Sequence, residues 1–373
     1  MLDVDEDLEQ IRSEINRIDK EMATLFEQRM KAVEGVGAYK MERGLPVSDP
    51  SREQAVIERN VEYIENKMYR GYYTSFIKNT MKLAKQYQHS LLQGQRIAYA
   101  GIEGSFSSEA AGIIFPDSRV MSFSDFAGAY NAVVDGECES CVIPIENSYN
   151  GEVAQTVDLL FMGDLYINGI YDLAVSQNLL GVRGASLSDV KTVISHPQAL
   201  GQCEKYINEH GFATLDCSNT AVAAKNVSES GDRSVAAIAS KKTAELYNLE
   251  ILDTDINDSA ENTTRFLALS RYDNRDRTGR DDGVSVLLFT AHSEGNEVGA
   301  LAKIVGKISE YGFNMRVLRS RPTKRLVWDY YFYVEIEGNL CSERGKRLMT
   351  ELKPLCGVLK NPGCVARGPV LKD

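Results

Sequence analysis

The sequence predicts a multidomain chain of three parts, and three observations carry that prediction. About the first 90 residues show helical periodicity only, so that part is all-helical. From "QRIAYAGIEG" to about Tyr272, short apolar runs alternate with polar loops and helical stretches, the pattern of an α/β domain. The charged stretch "DNRDRTGRDDG" holds no apolar residue and reads as a linker. Beyond it the order strand, helix, strand, strand, helix, strand predicts a small ferredoxin-like α+β domain. The expected boundaries are 1–92 for the helical part, 95–272 for the α/β part, 273–283 for the linker and 284–373 for the last domain.

The whole-chain quantities set the outer limits. A chain of 373 residues has room for two to three domains, and its 43% hydrophobic and 25% charged residues are those of an ordinary globular protein. The net charge of −11 argues against general nucleic-acid binding, although a cationic site can still sit inside an acidic protein. No apolar run approaches the roughly 18 residues of a membrane span, and the acidic start "MLDVDEDLEQ" is neither a secretory signal nor a transit peptide. The expectation is a cytoplasmic protein that touches neither membrane nor nucleic acid. The seven scattered cysteines fit reduced thiols. Cys138 and Cys141 form one C-x-x-C, but it precedes a strand and has no second ligand pair, so neither a redox centre nor a metal site is expected. No cofactor is implied.

The first helix is read from Leu8, Ile11, Ile15, Ile18, Met22, Leu25, Val33 and Val36, spaced by three or four. Running to about Met41 it would be roughly 50 Å long and must bury its stripe against other helices and against a second chain. Arg29 lies within about 40° of Met22, Leu25, Val33 and Val36, in the middle of that stripe, and Lys40 follows about three turns later on the same face. A cation on an apolar face is costly unless an anion meets it. One solution is a buried pair with Glu53 or Glu58 of the next helix, or snorkelling at the stripe edge; the other is an anionic ligand. "PVSDPSREQAVIERN" opens that next helix, with Asp49 as N-cap, Pro50 at the first position and Arg52 and Glu53 in the first turn. A third helix is expected from about Tyr72 to Leu91.

The stretches "IRSEINRID", "LFEQRMKAVEGVGAYK" and "PVSDPSRE" resemble the all-helical chorismate mutase domain over residues 5–90. The resemblance implies an interlocked dimer in which Arg29, Lys40, Asp49, Arg52, Glu53 and Gln88 line the site and the partner chain supplies Arg12. Chorismate is a dicarboxylate, which suits arginines. Its pericyclic rearrangement needs only a held conformer and hydrogen bonds to the ether oxygen, for which Lys40 and Gln88 are the expected donors alongside Arg29. Where the family usually has Ser, four residues before that Gln, this chain has Ala84. A register displaced by one residue would instead bring Lys85 and His89 to these places.

In the α/β part four strand ends open into polar loops. "GIEGSFSSEAA" sets Ser105, Ser107 and Ser108 at a helix start, "PIENS" supplies Glu146, Asn147 and Ser148, "SHPQALGQC" supplies Ser195, His196 and Gln202, and "NTTRF" supplies Thr264 and Arg265. Each residue has a local use as a cap or turn former; four such loops together point to a cleft at strand carboxyl ends. "PIENS", "SHPQALGQC" and "TTRF", in that order, resemble the prephenate dehydratase domain over about residues 95–272. The resemblance implies a two-lobed α/β fold like that of periplasmic binding proteins, with substrate between the lobes. It makes Thr264 the essential threonine, Glu146, Asn147, Ser148, Ser195 and Gln202 site residues, and Arg265 a carboxylate partner. Decarboxylation and loss of a ring hydroxyl are driven by aromatisation, so a hydroxyl donor at the leaving group suffices. The same residues are compatible with arogenate as substrate.

The last domain resembles an ACT regulatory domain, which implies phenylalanine binding at a dimer interface and feedback inhibition. "GALA" places Gly299, Ala300 and Leu301 at the effector, and "RSRP" adds Ser320, Arg321 and Pro322. Arg319 stands where the family commonly has an acid. The whole implies a homodimer or higher homo-oligomer that converts chorismate through prephenate to phenylpyruvate. A non-catalytic solute binder with an amino-acid sensor is the competing class, and the cations in the first helix's apolar stripe count against it.

Overall fold

The computed structural model describes residues 4–43, 47–259, 261–275, 283–291, 298–323 and 329–371, so residues 276–282 of the expected linker lie outside the described residues. Two compact units, Met1–Gln95 and Arg96–Asp373, are distinguished by their internal packing.

The first unit is helical: α1 (Val4–Glu42), α2 (Pro50–Glu62) and α3 (Arg70–Gln93). Asp49 caps α2 by accepting a hydrogen bond from the Arg52 amide at 3.1 Å, with Pro50 at the first helical position where no amide is needed. A short turn of 3₁₀ helix, Lys67–Tyr69, feeds α3, which packs against both other helices. The apolar stripe of α1 splits in two. Val33 is half-buried where Gln88 of α3 meets it, whereas Leu8, Ile11, Ile15, Ile18, Met22, Leu25, Phe26 and Val36 are exposed.

The second unit opens with β1 (Arg96–Ala100), α4 (Phe106–Ile114), β2 (Arg119–Phe123), α5 (Phe126–Val134), β3 (Ser140–Asn147), β4 (Gly151–Glu152), α6 (Ala154–Met162) and β5 (Tyr166–Ala174). A second lobe follows: β6 (Asn178–Gly181), β7 (Thr192–Ser195), α7 (Pro197–Gln202), α8 (Glu204–His210), β8 (Ala213–Asp216), α9 (Thr220–Ser230), β9 (Val235–Ala239), α10 (Lys241–Leu246) and β10 (Glu250–Asp253). Its five strands run in the order β10-β6-β9-β7-β8. The chain then returns to the first lobe as β11 (Thr263–Ser270), inserted antiparallel between β3 and β5. Two crossings therefore join the lobes, residues 175–177 and 254–262, and backbone bonds tie one to the other: Val175 N to Asn262 O at 2.8 Å and Ile256 N to Gln177 O at 2.9 Å.

The C-terminal elements are β12 (Gly283–Ala291), α11 (Ala300–Glu310), β13 (Asn314–Pro322), β14 (Tyr330–Glu337), α12 (Glu343–Leu352) and β15 (Cys356–Leu371). Sequence periodicity suggests only a short final strand, but β15 runs for 16 residues. It pairs antiparallel with β12 and also parallel with β5, so the C-terminal strands continue the first lobe's sheet in the order β13-β14-β12-β15-β5-β11-β3-β1-β2. An open edge on β5 would expose unpaired backbone, and β15 covers it. The approach is close: a Cβ on Gly363 would come within 2.6 Å of the Ile167 side chain. One core joins both parts, including Ile145, Ile167, Leu288 and Tyr333, with Tyr331 stacked on Phe161 at 4.0 Å between ring centroids.

All seven cysteines are free thiols. Burial pushes the Cys138 thiol up to about 12 and the Cys141 thiol up as well, so neither is a thiolate at neutral pH. Among the described residues no helix is long and apolar enough to cross a membrane, and no cluster of His, Cys, Asp and Glu could hold a metal ion.

Candidate active sites

In the first unit Gln88 lies where α3 meets α1, Lys40 beside the turn into α2, and Arg12 far along α1. Gln88 is buried, and its Nε2 donates to the Val33 carbonyl at 3.1 Å. Ala84, one turn earlier, is also buried, whereas Lys85 is half-buried and pairs with Glu53 at 2.8 Å. Residues 84 and 88 thus share the buried face of α3, and residue 85 turns toward α2. Lys85 and Ser48 hold the Glu53 carboxyl below the usual carboxylate range. Lys40 donates to the Val47 carbonyl at 2.6 Å, fixing it beside the turn into α2. Asp49 is occupied as a helix cap, and Arg52 is exposed next to it. Arg29 has a buried Nη1 with no hydrogen-bond partner. Such an orphan donor costs about 1–3 kcal/mol unless a ligand satisfies it. Arg12 is exposed on α1, seventeen residues before Arg29. At 1.5 Å per residue it lies about 25 Å away along the helix, out of reach of the same chain's Arg29.

In the second unit a cleft of about 600 Å³ lies between the lobes, and Thr264, Asn147, His196 and Gln202 line it. The pairing of β3 with β11 sets Asn147 opposite Thr264 and Glu146 opposite Arg265. Because successive strand residues point to opposite faces, the first pair faces the cleft and the second faces the C-terminal strands. Asn147 Nδ2 donates to Thr264 Oγ1 at 2.9 Å and to Asn262 Oδ1 at 2.9 Å. The amide orientation is dictated by its oxygen, which accepts from the backbone amides of Tyr149 at 3.0 Å and Asn150 at 2.9 Å. With its lone pair engaged by Asn147, the Thr264 hydroxyl is free to donate its own proton into the cleft. Asn262 Nδ2 donates in turn to Gln202 Oε1 at 2.9 Å, and Gln177 Nε2 approaches the same oxygen at 3.3 Å. The result is an amide chain from Thr264 through Asn147 and Asn262 to Gln202 and Gln177, crossing from one lobe to the other at the hinge.

Several sequence candidates lie outside this lining. Ser195 is fully buried and donates to the Ile238 carbonyl at 2.6 Å, and Ser148 bonds the backbone of Glu261 and Thr263. Arg265 pairs with Asp172 at 2.7 Å and Glu335 at 3.2 Å, and Glu146 pairs with Arg319 at 2.5 Å. Hydrogen bonding to Asp172 holds the Arg265 guanidinium still more firmly protonated. His196 is the N-cap of α7, its Nδ1 accepting from the Gln198 amide at 3.2 Å, and burial lowers its pKa against a smaller opposing effect of Asp216.

No lysine or arginine lines the cleft among the described residues. The donors that face it are helix N-termini, those of α4 (Ser105, Phe106), α5 (Asp125, Phe126), α6 (Val153, Gln155) and α9 (Asn219, Thr220), with the carboxylates of Asp125 and Glu152 also in the lining. Sequence reasoning missed Asn219, although "DCSNTA" carries the same signal as the other four loops, a strand running into an N-cap. Gln177 has no local signal at all. In the last part, Gly299 has φ of +87° as it starts α11 with Ala300 and Leu301. On β13 Ser320 and Pro322 are exposed, whereas Arg321 faces Asp158 at 2.8 Å.

Comparison with known proteins matches one family to each unit. The sequence pattern of the type II chorismate mutases matches residues 11–89, and that of the prephenate dehydratases matches residues 97–274. A bifunctional chorismate mutase/prephenate dehydratase of Aquifex aeolicus is 30% identical, the alignment covering 95% of this chain and 96% of the relative. Among solved structures, the prephenate dehydratase of Arthrobacter aurescens in complex with L-Phe is 27% identical with a TM-score of 0.67, over 74% of this chain and 92% of that one. The structure of GqqA, described as a quorum quenching acylase, is 31% identical with a TM-score of 0.68, over 74% and 99%. The second unit thus has the two-lobed α/β fold of the prephenate dehydratase structures, and the chain belongs to the bifunctional chorismate mutase/prephenate dehydratase family.

Proposed function

We propose that the first unit rearranges chorismate to prephenate and that the second converts prephenate to phenylpyruvate with loss of carbon dioxide and water. The observation that carries the second step is the 2.9 Å hydrogen bond from Asn147 to Thr264 Oγ1. A threonine hydroxyl is too weak an acid to protonate a leaving group unaided. An amide donating to its oxygen stabilises negative charge there and turns the hydroxyl proton outward, which makes it a better donor as hydroxide departs. Helix N-termini hold the substrate's carboxylates, and aromatisation supplies the driving force.

For the first step the orphan donor of Arg29 supports a carboxylate contact, and Lys40 and Gln88 are the donors for the ether oxygen. The site is completed by a second copy of the chain. The exposed stripe Leu8 to Phe26 needs a cover, and Arg12 sits about 25 Å from Arg29, so its part in a site falls to the partner. The C-terminal elements act as an ACT domain that binds phenylalanine through Gly299, Ala300, Leu301, Ser320 and Pro322 and restrains the dehydratase, Arg321 being turned instead to Glu152 and Asp158. The test is direct. Purified protein is given chorismate and then prephenate, with and without phenylalanine, while loss of chorismate and formation of phenylpyruvate are followed. Absence of either conversion refutes that half of the reading, and dehydratase activity indifferent to saturating phenylalanine refutes the regulatory part.

A further inference from the structure

The position expected to be acidic, residue 319, is an arginine engaged with the back of the dehydratase site. Strand β13 alternates between exposed and covered positions, and Arg319 and Arg321 are both on the covered side. Arg319 Nη2 meets Glu146 at 2.5 Å and its Nε lies 3.6 Å from Glu152, while Arg321 bonds Glu152 at 3.0 Å and Asp158 at 2.8 Å. Glu146 and Glu152 are cross-strand partners in the β3–β4 hairpin, and the other pair in that hairpin is Asn147 with Gly151. The hairpin therefore has two faces. Asn147 looks into the cleft and holds Thr264; Glu146 and Glu152 are gripped from behind by β13. The Arg319 guanidinium lies 5.6 Å from the Tyr333 ring centroid and is only 14% exposed, with Nη1 buried and unpartnered. An optimised structural pair would not leave that donor unmet.

We propose that Arg319 is a positioning residue for the dehydration step: by clamping Glu146 and Glu152 it fixes the hairpin, and so the Asn147–Thr264 donor pair, at the depth the leaving group requires. This rests on the dehydratase reading of the cleft, which wild-type turnover of prephenate tests by itself beforehand. Arg319 and Glu146 lie outside the cleft lining, and Glu152 alone of the clamp borders it, so loss of Arg319 affects the transition-state contact more than binding. Displacement of a catalytic group by about 1 Å can cost up to about a hundredfold. Arg319→Ala should therefore lower kcat by about ten- to a hundredfold with KM changed less than about threefold. Arg319→Glu, which sets a third carboxylate against Glu146 and Glu152, should be worse, and Arg319→Lys should recover part of the loss.

The deciding measurement is a double-mutant cycle on kcat in the full-length protein, with mutase turnover of each preparation confirming intact chain. If Arg319 acts through Asn147, Arg319→Ala adds little to Asn147→Ala, because the group it positions is already gone. Additive losses, a change in KM alone, or wild-type kcat in Arg319→Ala would each overturn the proposal. Arg319→Gln, which keeps a polar group of similar length, repeats the cycle if the alanine variant does not fold.

Discussion

Asn147→Asp changes two hydrogens and an amide nitrogen for an oxygen, and it reverses the polarity of the bond on which the dehydratase reading rests. The oxygen that accepts from the Tyr149 and Asn150 amides remains, so the turn after β3 keeps its contacts at 3.0 and 2.9 Å. The atom 2.9 Å from Thr264 Oγ1 becomes a carboxylate oxygen that can only accept. Thr264 must then donate to residue 147, and its proton turns away from the cleft. Loss of one preorganised donor at a developing oxyanion costs about a hundred- to a thousandfold in kcat, or roughly 2.7–4 kcal/mol. The new charge also faces Asn262 Oδ1, formerly 2.9 Å from the Asn147 nitrogen, so that amide must rotate and loosen its bond to Gln202. Steady-state formation of phenylpyruvate from prephenate measures the effect, and Thr264→Ala provides the comparison. The two variants should lose kcat to a similar degree, and the double variant should lose little more than either. If Asn147→Asp keeps more than about a third of wild-type kcat, polarisation of Thr264 by Asn147 is wrong.

Arg29→Ala should reduce chorismate turnover by at least about a hundredfold and leave prephenate turnover intact, since the buried donor has no protein partner to miss it; a mutase rate within about tenfold of wild type would refute the carboxylate contact. Glu139→Ala strands Arg96, whose pair with Glu139 at 2.8 Å is only 14% and 10% exposed. The expected cost is about 3–5 kcal/mol, seen as a fall of roughly 10 °C in the unfolding midpoint of the second unit by calorimetry. His196 has its pKa lowered from 6.5 by burial, so the unfolded chain binds its proton more readily than the folded one. Its share of stability is complete above pH 6.5 and is lost as pH falls below that value; His196→Asn, which keeps a capping side chain, should flatten the decline in denaturant midpoint as pH falls below 6.5.

Local chemistry alone decided much of this protein. The N-cap at Asp49, the three-residue spacing along α1, the strand "TTRFLALS" and the loop after "PIEN" are set by neighbours a few residues away, and each appears where the sequence places it. The same period-two rule that makes 263–270 a strand also requires Thr264 and Arg265 to face opposite ways, so a site containing both could have been doubted from the sequence. Which face would be the cleft could not. That choice was made by β11 inserting between β3 and β5, and by Glu335, seventy residues later, meeting Arg265 on the far side. Arg319 likewise reads as a charge reversal within a motif; only the continuation of one sheet from β12–β15 into the first lobe gives it Glu146 and Glu152 as partners. The chain from Thr264 to Gln177 was invisible for the same reason, since its hydrogen-bonded neighbours are 25 to 117 residues apart in sequence and meet only at the hinge. Propensity and capping act over one turn or one strand, whereas charge pairing and side-chain hydrogen bonding are decided by whatever the topology brings within about 3 Å.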